Sequence, residues 1–140
     1  MAQQLSIFLE NSPGRLAALS RTLGEGGFNM FALSLADTSD YGVARIIVDD
    51  PIAAKAYLEQ HGFSGSLTEV CAVEIPDEPG SLGKLLELLA EKEINVGYSY
   101  VFVNPLTKHA INVFKFSDPQ MFTLLEQVGY RVLSNENLYA

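Results

Sequence analysis

The chain has 140 residues, of which 48% are apolar and 19% are charged, so it is able to bury a core and general disorder is excluded. Its formal net charge of −8 argues against a nucleic-acid partner, because affinity for a phosphate backbone depends on clustered Lys and Arg. The single cysteine, Cys71, excludes a disulfide framework and a cysteine-rich metal site.

The start of the chain predicts where the protein resides. The segment "MAQQLSIFLENS" lacks the basic start, the long apolar stretch and the small-residue cleavage site of a signal peptide. The longest apolar runs are far shorter than a membrane span. We therefore expect a soluble cytoplasmic protein without a membrane partner.

The first half of the chain predicts the element order β-α-β-β-α-β. The segment "LSIFL" at 5–9 is short, rich in β-formers and partly alternating, as expected of a strand. Leu16, Leu19 and Leu23 follow at helical spacing and form one buried stripe. The remaining predicted elements are a hairpin of strands at 28–36 and 42–48, a second helix from Pro51 to Gly62, and a short strand at 64–68.

Prolines mark the predicted helix starts. Pro13 and its counterpart Pro79 are predicted in the first turn of a helix, where a missing N–H is not needed. Ser12 is the predicted N-cap of the first of these helices, whereas Glu78 offers only a carboxylate to the dipole of the second. Asp50 is predicted to cap the helix that follows it, with a proline at the first helical position.

The second half repeats this element order. The segment "VCAVEI" at 70–75 predicts a strand, and Leu82, Leu85 and Leu89 repeat the helical stripe. The remaining predicted elements are a hairpin of strands at 94–103 and 109–116, a second helix capped by Asp118 with Pro119 at its first position and ending at Gly129, and a last short strand.

A duplicated motif shows that the two halves share one architecture. The segment "NSPGRL" at 11–16 recurs 66 positions later as "DEPGSL" at 77–82. We predict two domains, 1–68 and 69–140, each a ferredoxin-like unit in which an antiparallel four-stranded sheet carries two helices on one face. The fold class is therefore α+β. The predicted last strand of the first half leads almost directly into the next strand, so we expect an ordered connection near 67–69.

Candidates for catalysis are weak throughout the chain. His61 lies near a predicted helix end and His109 at a strand start, both generic settings for a histidine. Cys71 lies in an apolar run, as expected of a buried and inert thiol. Neither a dinucleotide fingerprint nor a P-loop is present, and the paired acids lie at helix starts, where capping explains them. We predict a non-enzyme without catalytic residues, metal or cofactor.

The repeated turn has the chemistry to bind a free amino acid. A helix N-terminus presents N–H groups and a partial positive charge, which suit a carboxylate. Gly14 and Gly80 let a ligand approach that backbone closely, and Asn11 or Asp77 can meet an amino group. The alternative is purely structural: the proline starts the helix and the glycine permits a tight turn.

The doubled element order, with "NSPGRL" followed by "FNM" and "DEPGSL" followed by "INV", resembles the ACT domain, a regulatory small-molecule-binding module of amino-acid metabolism. The resemblance covers nearly the whole chain as two tandem copies. It implies that two units join side by side into one sheet. It also implies that amino acids bind between the first turn of one unit and the start of strand two in its neighbour. A homodimer and an enzyme partner are further expectations.

The ligand-binding residues implied by the resemblance fall into three groups. The candidates are Asn11, Ser12, Gly14, Arg15 and Leu16 in the first turn, Asp77, Gly80, Ser81 and Leu82 in the second, and Asn29, Met30, Asn95 and Val96 at the two strand starts. The second copy departs from the pattern, because Asp77 replaces Asn11 and "EKEIN" lacks the glycines of "EGGFN". We therefore expect two sites of different affinity, or one site in use.

Two other functions stay open at this point. The first is an interaction subunit of an enzyme of amino-acid metabolism, with the same fold and no ligand of its own. The second is an acylphosphatase-type enzyme, which shares the βαββαβ order and uses an arginine and an asparagine in a phosphate-binding loop. The proline of "NSPGRL" and the acidic "DEPGSL" copy fit a phosphate poorly.

Overall fold

A computed structural model describes residues 1–37, 41–104, 107–118 and 120–138. The chain divides into two compact units. The N-terminal unit takes Gln3–Thr68, and the C-terminal unit takes Met1–Ala2 together with the chain from Glu69 onward. That 1–68 and 69–140 act as two domains stays a prediction.

The N-terminal unit has the predicted β-α-β-β-α-β order. Its elements are β1 (Ala2–Glu10), α1 (Arg15–Glu25), β2 (Met30–Asp37), β3 (Tyr41–Val48), α2 (Pro51–Gln60) and the first part of β4 (Ser64–Ile75). The strands lie in the order β2-β3-β1-β4, and β3 pairs antiparallel with both β1 and β2. Strand β4 is continuous from residue 64 to residue 75, so the chain is ordered at 67–69, as predicted.

The core of the N-terminal unit follows the predicted periodicities. Leu5, Ile7 and Leu9 alternate along β1 and are buried against the two helices. Leu19 and Leu23, one helical turn apart, are buried on α1 in the same cluster. The helices therefore cover one face of the sheet.

The C-terminal unit repeats the arrangement with the second part of β4 in the role of the first strand. Its further elements are α3 (Ser81–Glu91), β5 (Val96–Val103), β6 (Ala110–Phe116), α4 (Met121–Gln127), β7 (Arg131–Leu133) and α5 (Asn135–Leu138). The strands lie in the order β5-β6-β4-β7, which matches the order in the N-terminal unit. The α+β class and the two tandem ferredoxin-like units are confirmed. Side-by-side joining of their sheets stays a prediction.

One predicted core position of the C-terminal unit is wrong. Leu85 and Leu89 are buried as predicted, but 43% of Leu82 is exposed. Leu88 packs against the core cluster from α3 instead. The short helix α5 was not predicted from the sequence.

The predicted starts of α1 and α3 are also wrong in detail. The N-cap residues are Gly14 and Gly80, with φ angles of 88° and 87°, and neither helix has a side-chain cap. In the first copy the N–H of Arg15 donates to the carbonyl of Ser12 over 3.4 Å. Proline followed by a left-handed glycine is the signature of a type II turn. Pro13 therefore belongs to this turn and not to the helix.

Of the two N-caps predicted for the second helix of each unit, one is confirmed and one is wrong. Asp50 caps α2 as predicted and accepts a hydrogen bond from the N–H of Ala53 over 3.1 Å. In the C-terminal unit, α4 begins only at Met121, so the predicted N-cap at Asp118 is wrong. The Asp118 carboxylate accepts from the N–H of Gln120 over 2.9 Å, which closes a local turn ahead of the helix. The predicted first position, Pro119, lies outside the described residues.

The predicted ends of these helices are confirmed by their glycines. Gly62 and Gly129 follow α2 and α4 with φ angles of 86° and 99°. In the part of the chain that the structure describes, no helix has the length and apolar character needed to cross a membrane.

Candidate functional site

The two repeated turns end in helices that have no side-chain cap, although the first N–H of each helix, that of Arg15 or Ser81, bonds back to a carbonyl of its turn. Helix α1 follows Gly14 without a side-chain cap, and its first regular helical bond runs from the N–H of Ala18 to the Gly14 carbonyl. Helix α3 follows Gly80 in the same way, with the first such bond from Lys84. Free N–H groups at a helix start favour an anion such as a carboxylate.

In the N-terminal unit, the turn lines a small pocket. The Asn11 Nδ2 donates to Asp37 Oδ1 over 3.2 Å, which ties the end of β1 to the end of β2. The pocket has a volume of about 160 Å³. Its lining residues are Leu9, Glu10, Asn11, Ser12, Leu16, Leu35, Asp37 and Gly42. Three of the predicted site residues are therefore brought together here: Asn11, Ser12 and Leu16.

Arg15 is placed differently from the rest of this turn. Its guanidinium carbon lies 5.0 Å from the centre of the Phe63 ring, within the range of a cation–π contact. The Arg15 Nε is buried and has no hydrogen-bond partner among the described residues. A carboxylate ligand at the turn would therefore meet backbone amides before it met this side chain.

Asn29 and Met30 lie at the opposite end of the N-terminal unit. Met30 pairs with Val48 at the start of β2, whereas Asp37 pairs with Gly42 at its end. A strand of eight residues separates its ends by about 25 Å. The Asn29 backbone exchanges two hydrogen bonds with Asp49, each of 3.2 Å, and these hold the strand start in place. Within this unit the structure does not bring Asn29 to the turn.

In the C-terminal unit, Asp77 lies at a larger cleft of about 440 Å³. The cleft is lined by Glu74, Ile75, Pro76, Asp77, Lys108, His109, Gly129, Tyr130 and Arg131. Ser81 is half-buried and Leu82 is exposed on α3. Asn95 and Val96 lie at the start of β5, away from the end of that strand where Val103 pairs with Ala110. The second copy therefore has the same separation between turn and strand start.

Comparison with known proteins gives the family. A family model described as an ACT domain pair matches residues 1–136. The chain belongs to this family. The resemblance of the duplicated motif to the ACT domain is thereby confirmed.

Solved structures agree with this assignment. This ACT domain pair is similar to protein BT0572 from Bacteroides thetaiotaomicron, with 34% identity and a TM-score of 0.90 over 99% of this chain and 95% of that one. The regulatory subunit of aspartate kinase from Thermus thermophilus has 17% identity and a TM-score of 0.68, over 90% of this chain and 89% of that one.

A second such subunit, from Thermus flavus, has 19% identity and a TM-score of 0.58 over 80% of each chain. At these low identities the two kinase subunits show a shared fold. Among curated proteins, none matches this chain.

Cys71 and His61 of this ACT domain pair lie where a structural role explains them. Cys71 is buried in the core of the C-terminal unit, and burial raises the pKa of its thiol to about 12, so it is protonated and unreactive at neutral pH. The His61 ring lies 4.3 Å from that of Tyr57, and its Nδ1 is 2.8 Å from the Tyr57 carbonyl. In the described part of the chain, no group of three or more His, Cys, Asp and Glu side chains could hold a metal ion.

Sequence reasoning missed a charged cluster in the C-terminal unit. The His109 Nδ1 lies 2.6 Å from Glu74 Oε1, and Arg131 Nη1 donates to Glu74 Oε2 over 3.3 Å. The sequence analysis treated His109 as an isolated residue and did not single out the other two. The available signal was alternation along β4, which places Glu74 on the sheet face opposite the buried Val73.

Proposed function

We propose that this ACT domain pair is a non-enzymatic, allosteric regulatory protein that binds a free amino acid at the junction of two ACT-like units. The observation that supports it most is the uncapped start of α1 and of α3, each directly after a left-handed glycine. Helix α2 provides the contrast within the same chain, because the Asp50 carboxylate caps it and already accepts from the N–H of Ala53.

The proposed ligand has its carboxylate at the amides of the first turn of α1 or α3 that follow Arg15 or Ser81, whose own N–H groups bond back into the turn. In the first copy, Asn11 donates its NH₂ group to Asp37, which leaves its oxygen to accept from a ligand ammonium group. In the second copy the Asp77 carboxylate meets the ammonium group with a charge. The third contact, Asn29 or Asn95, comes from the strand start of a neighbouring unit, because each lies about 25 Å from the turn of its own unit.

The strand order supports self-association. Strands β2 and β5 are each the outer strand of their unit, and outer strands present unpaired backbone groups that invite pairing. We propose a cytoplasmic homodimer with an enzyme as a further partner, given that two regulatory subunits of aspartate kinase share the fold.

A second candidate function is an interaction subunit without a ligand of its own. The C-terminal unit favours it, because α3 and β5 expose Leu82, Leu86, Val101 and Val103 by 40% to 58%. Exposed apolar side chains mark a surface where a partner protein binds when they form one contiguous patch.

A screen followed by calorimetry tests the amino-acid site. The twenty amino acids are first compared for their effect on the thermal unfolding of the whole chain, since a ligand stabilises the state it binds. Calorimetry then compares the wild type with Asn29→Ala and Asn95→Ala. Loss of one hydrogen bond to a charged group should weaken binding roughly ten- to a hundredfold. Gln60→Ala, which removes an exposed amide at the end of α2, should leave the affinity unchanged.

The outcomes separate the two candidates. Stabilisation by one amino acid, lost in the asparagine variants and kept in Gln60→Ala, supports the ligand site. Absence of any stabilising amino acid, with capture of an amino-acid-metabolism enzyme by the whole chain, supports the interaction subunit. An affinity that survives both asparagine substitutions together with Asn11→Ala and Asp77→Ala would show that the repeated motif is only a helix start.

A further inference from the structure

Two charged side chains of the cleft in the C-terminal unit, Glu74 and Arg131, lie on the sheet face away from α3 and α4. Val73 and Ile75 pack into the helix-side core, so Glu74 between them faces the opposite side. Arg131 stands directly across from Glu74 in the pairing of β4 with β7, and cross-strand partners share a face. This face does not include the first amides of α3, so these two side chains are distinct from the proposed amino-acid site, with which the cleft shares only Asp77.

Glu74 holds a histidine and an arginine side chain at the cleft. Its two carboxylate oxygens are bound by different partners, His109 at 2.6 Å and Arg131 at 3.3 Å. The Glu74 side chain is only 16% exposed, whereas those of His109 and Arg131 are 60% and 58% exposed. Arg131 uses one of its five N–H donors here, and His109 keeps its Nε2. Arg131 therefore has donors left for a further acceptor, and the Nε2 of His109 donates to one when the ring carries both protons.

A hydrogen-bonded loop brings Lys108 to the same cleft. The buried Asn104 donates its N–H to the His109 carbonyl over 2.9 Å, and its own carbonyl accepts from the N–H of Lys108 over 2.8 Å. Lys108 has a φ angle of 64°, which is uncommon for a residue other than glycine. Among the described residues, Lys108 has no ion-pair partner. Its ammonium group is therefore available to a ligand.

We propose that this cleft binds a small molecule bearing a carboxylate or phosphate group, held by Lys108, Arg131 and the Nε2 of His109. Lys108 and Arg131 balance the charges of the two carboxylates, Glu74 and Asp77, and a proton on His109 adds the positive charge that one anionic group would neutralise. The volume of about 440 Å³ is in the range of small-molecule pockets. The corresponding surface of the N-terminal unit has Phe8 in place of Glu74, so the site belongs to the second copy alone.

The test is a titration of the whole isotope-labelled chain by NMR, with inorganic phosphate and with succinate as separate probes at low ionic strength. Either probe should shift the amide signals of residues 108–109 and 130–131 in a saturable way. Lys108→Asn should weaken binding about tenfold or more, since it removes one charged donor. Asparagine is chosen because it tolerates the left-handed backbone. Lys84→Ala removes the same charge from exposed α3 and should leave the affinity unchanged.

Each outcome decides the proposal. Saturable binding of phosphate alone assigns a phosphate ligand, binding of succinate alone assigns a carboxylate ligand, and binding of both assigns their shared charge; all three support the cleft. Absence of saturation with both probes overturns it, and so does an equal loss in Lys84→Ala and Lys108→Asn. If Lys108→Asn fails to fold, Arg131→Lys tests the site in its place, because it keeps the charge but loses the planar guanidinium. None of these results depends on whether an amino acid stabilises the protein.

Discussion

The two units have the same backbone fold but differ in the side chains around the repeated turn. In the N-terminal unit, Asn11 is hydrogen-bonded to Asp37 beside a pocket of about 160 Å³. In the C-terminal unit, Asp77 lies at a cleft of about 440 Å³ with Lys108 and Arg131. The turn conformation is retained because it depends on one left-handed glycine in each copy. The side chains around it carry no such constraint, so recognition can differ between copies of one fold.

The largest expected effect tests whether the cores of the two units are equivalent. Leu23 and Leu89 hold corresponding, fully buried positions on α1 and α3. Leu23→Ala and Leu89→Ala should each lower the free energy of unfolding by about 2–5 kcal/mol, because a cavity replaces buried methyl groups. Denaturant unfolding measures the loss, and amide hydrogen exchange shows where protection falls.

We expect the loss of protection to be concentrated in the unit that carries the substitution, since each leucine packs in the cluster of its own unit. A uniform loss of hydrogen-exchange protection through both units in both variants would show that the two cores unfold together. The two units would then not differ in local stability.

The next effect concerns the glycines of the turns. Gly14→Ala and Gly80→Ala should each destabilise by about 1–2 kcal/mol, because alanine is strained at φ near +88° even though a Cβ would meet no atom within 4 Å. Gly24→Ala and Gly83→Ala are matched controls inside α1 and α3, where a Cβ also meets nothing. These should be neutral or stabilise by up to about 1 kcal/mol. Thermal unfolding of the four variants measures these changes in stability. Equal effects at the turn and helix positions would contradict the proposed strain.

The smallest effect sharpens the difference between the turns by exchanging their first residues. Asn11→Asp places a second carboxylate beside Asp37 and removes the donor of their 3.2 Å bond. The expected loss is about 0.5–1 kcal/mol, because both groups are exposed. Asp77→Asn breaks no described ion pair and should stay within about 0.5 kcal/mol of wild type. Urea unfolding at low and high salt measures both changes. Added salt should reduce the loss of stability in Asn11→Asp, because it screens the repulsion between the two carboxylates. A salt-independent loss would point to the hydrogen bond alone.

The repeated elements could be predicted because local rules decide them. Alternation in β1, the helical spacing of Leu19 and Leu23, and the Asp50 cap all depend on neighbours within a few residues. The type II turn was missed because proline at φ near −65° suits both a turn and a first helical position, so the residues ahead of Gly14 predict either. The start of α4 was missed for a related reason, since Asp118 bonds the N–H two residues on and not three.

The charged cluster could not be predicted because its members are distant in sequence. His109 lies 35 residues from Glu74, and Arg131 lies 57 residues from it. Only the register of β4 with β6 and β7 brings them together, and that register is a property of the folded sheet. Of the candidate site, the turn residues could be placed from the motif, while the separation of about 25 Å between Asn29 and its own turn needed the strand geometry.

The outer position of β5 has a consequence for handling the protein in solution. The strand reads "VGYSYVFV", with no charged residue and no proline, and it exposes Val101 and Val103 by 58% and 57%. Uncharged, β-rich segments at a sheet edge are templates for strand addition between molecules. The net charge of −8 opposes such encounters at neutral pH by mutual repulsion. That protection vanishes near the isoelectric point of about 4.6, so mildly acidic conditions are where this chain is most prone to precipitate as intermolecular β-sheet.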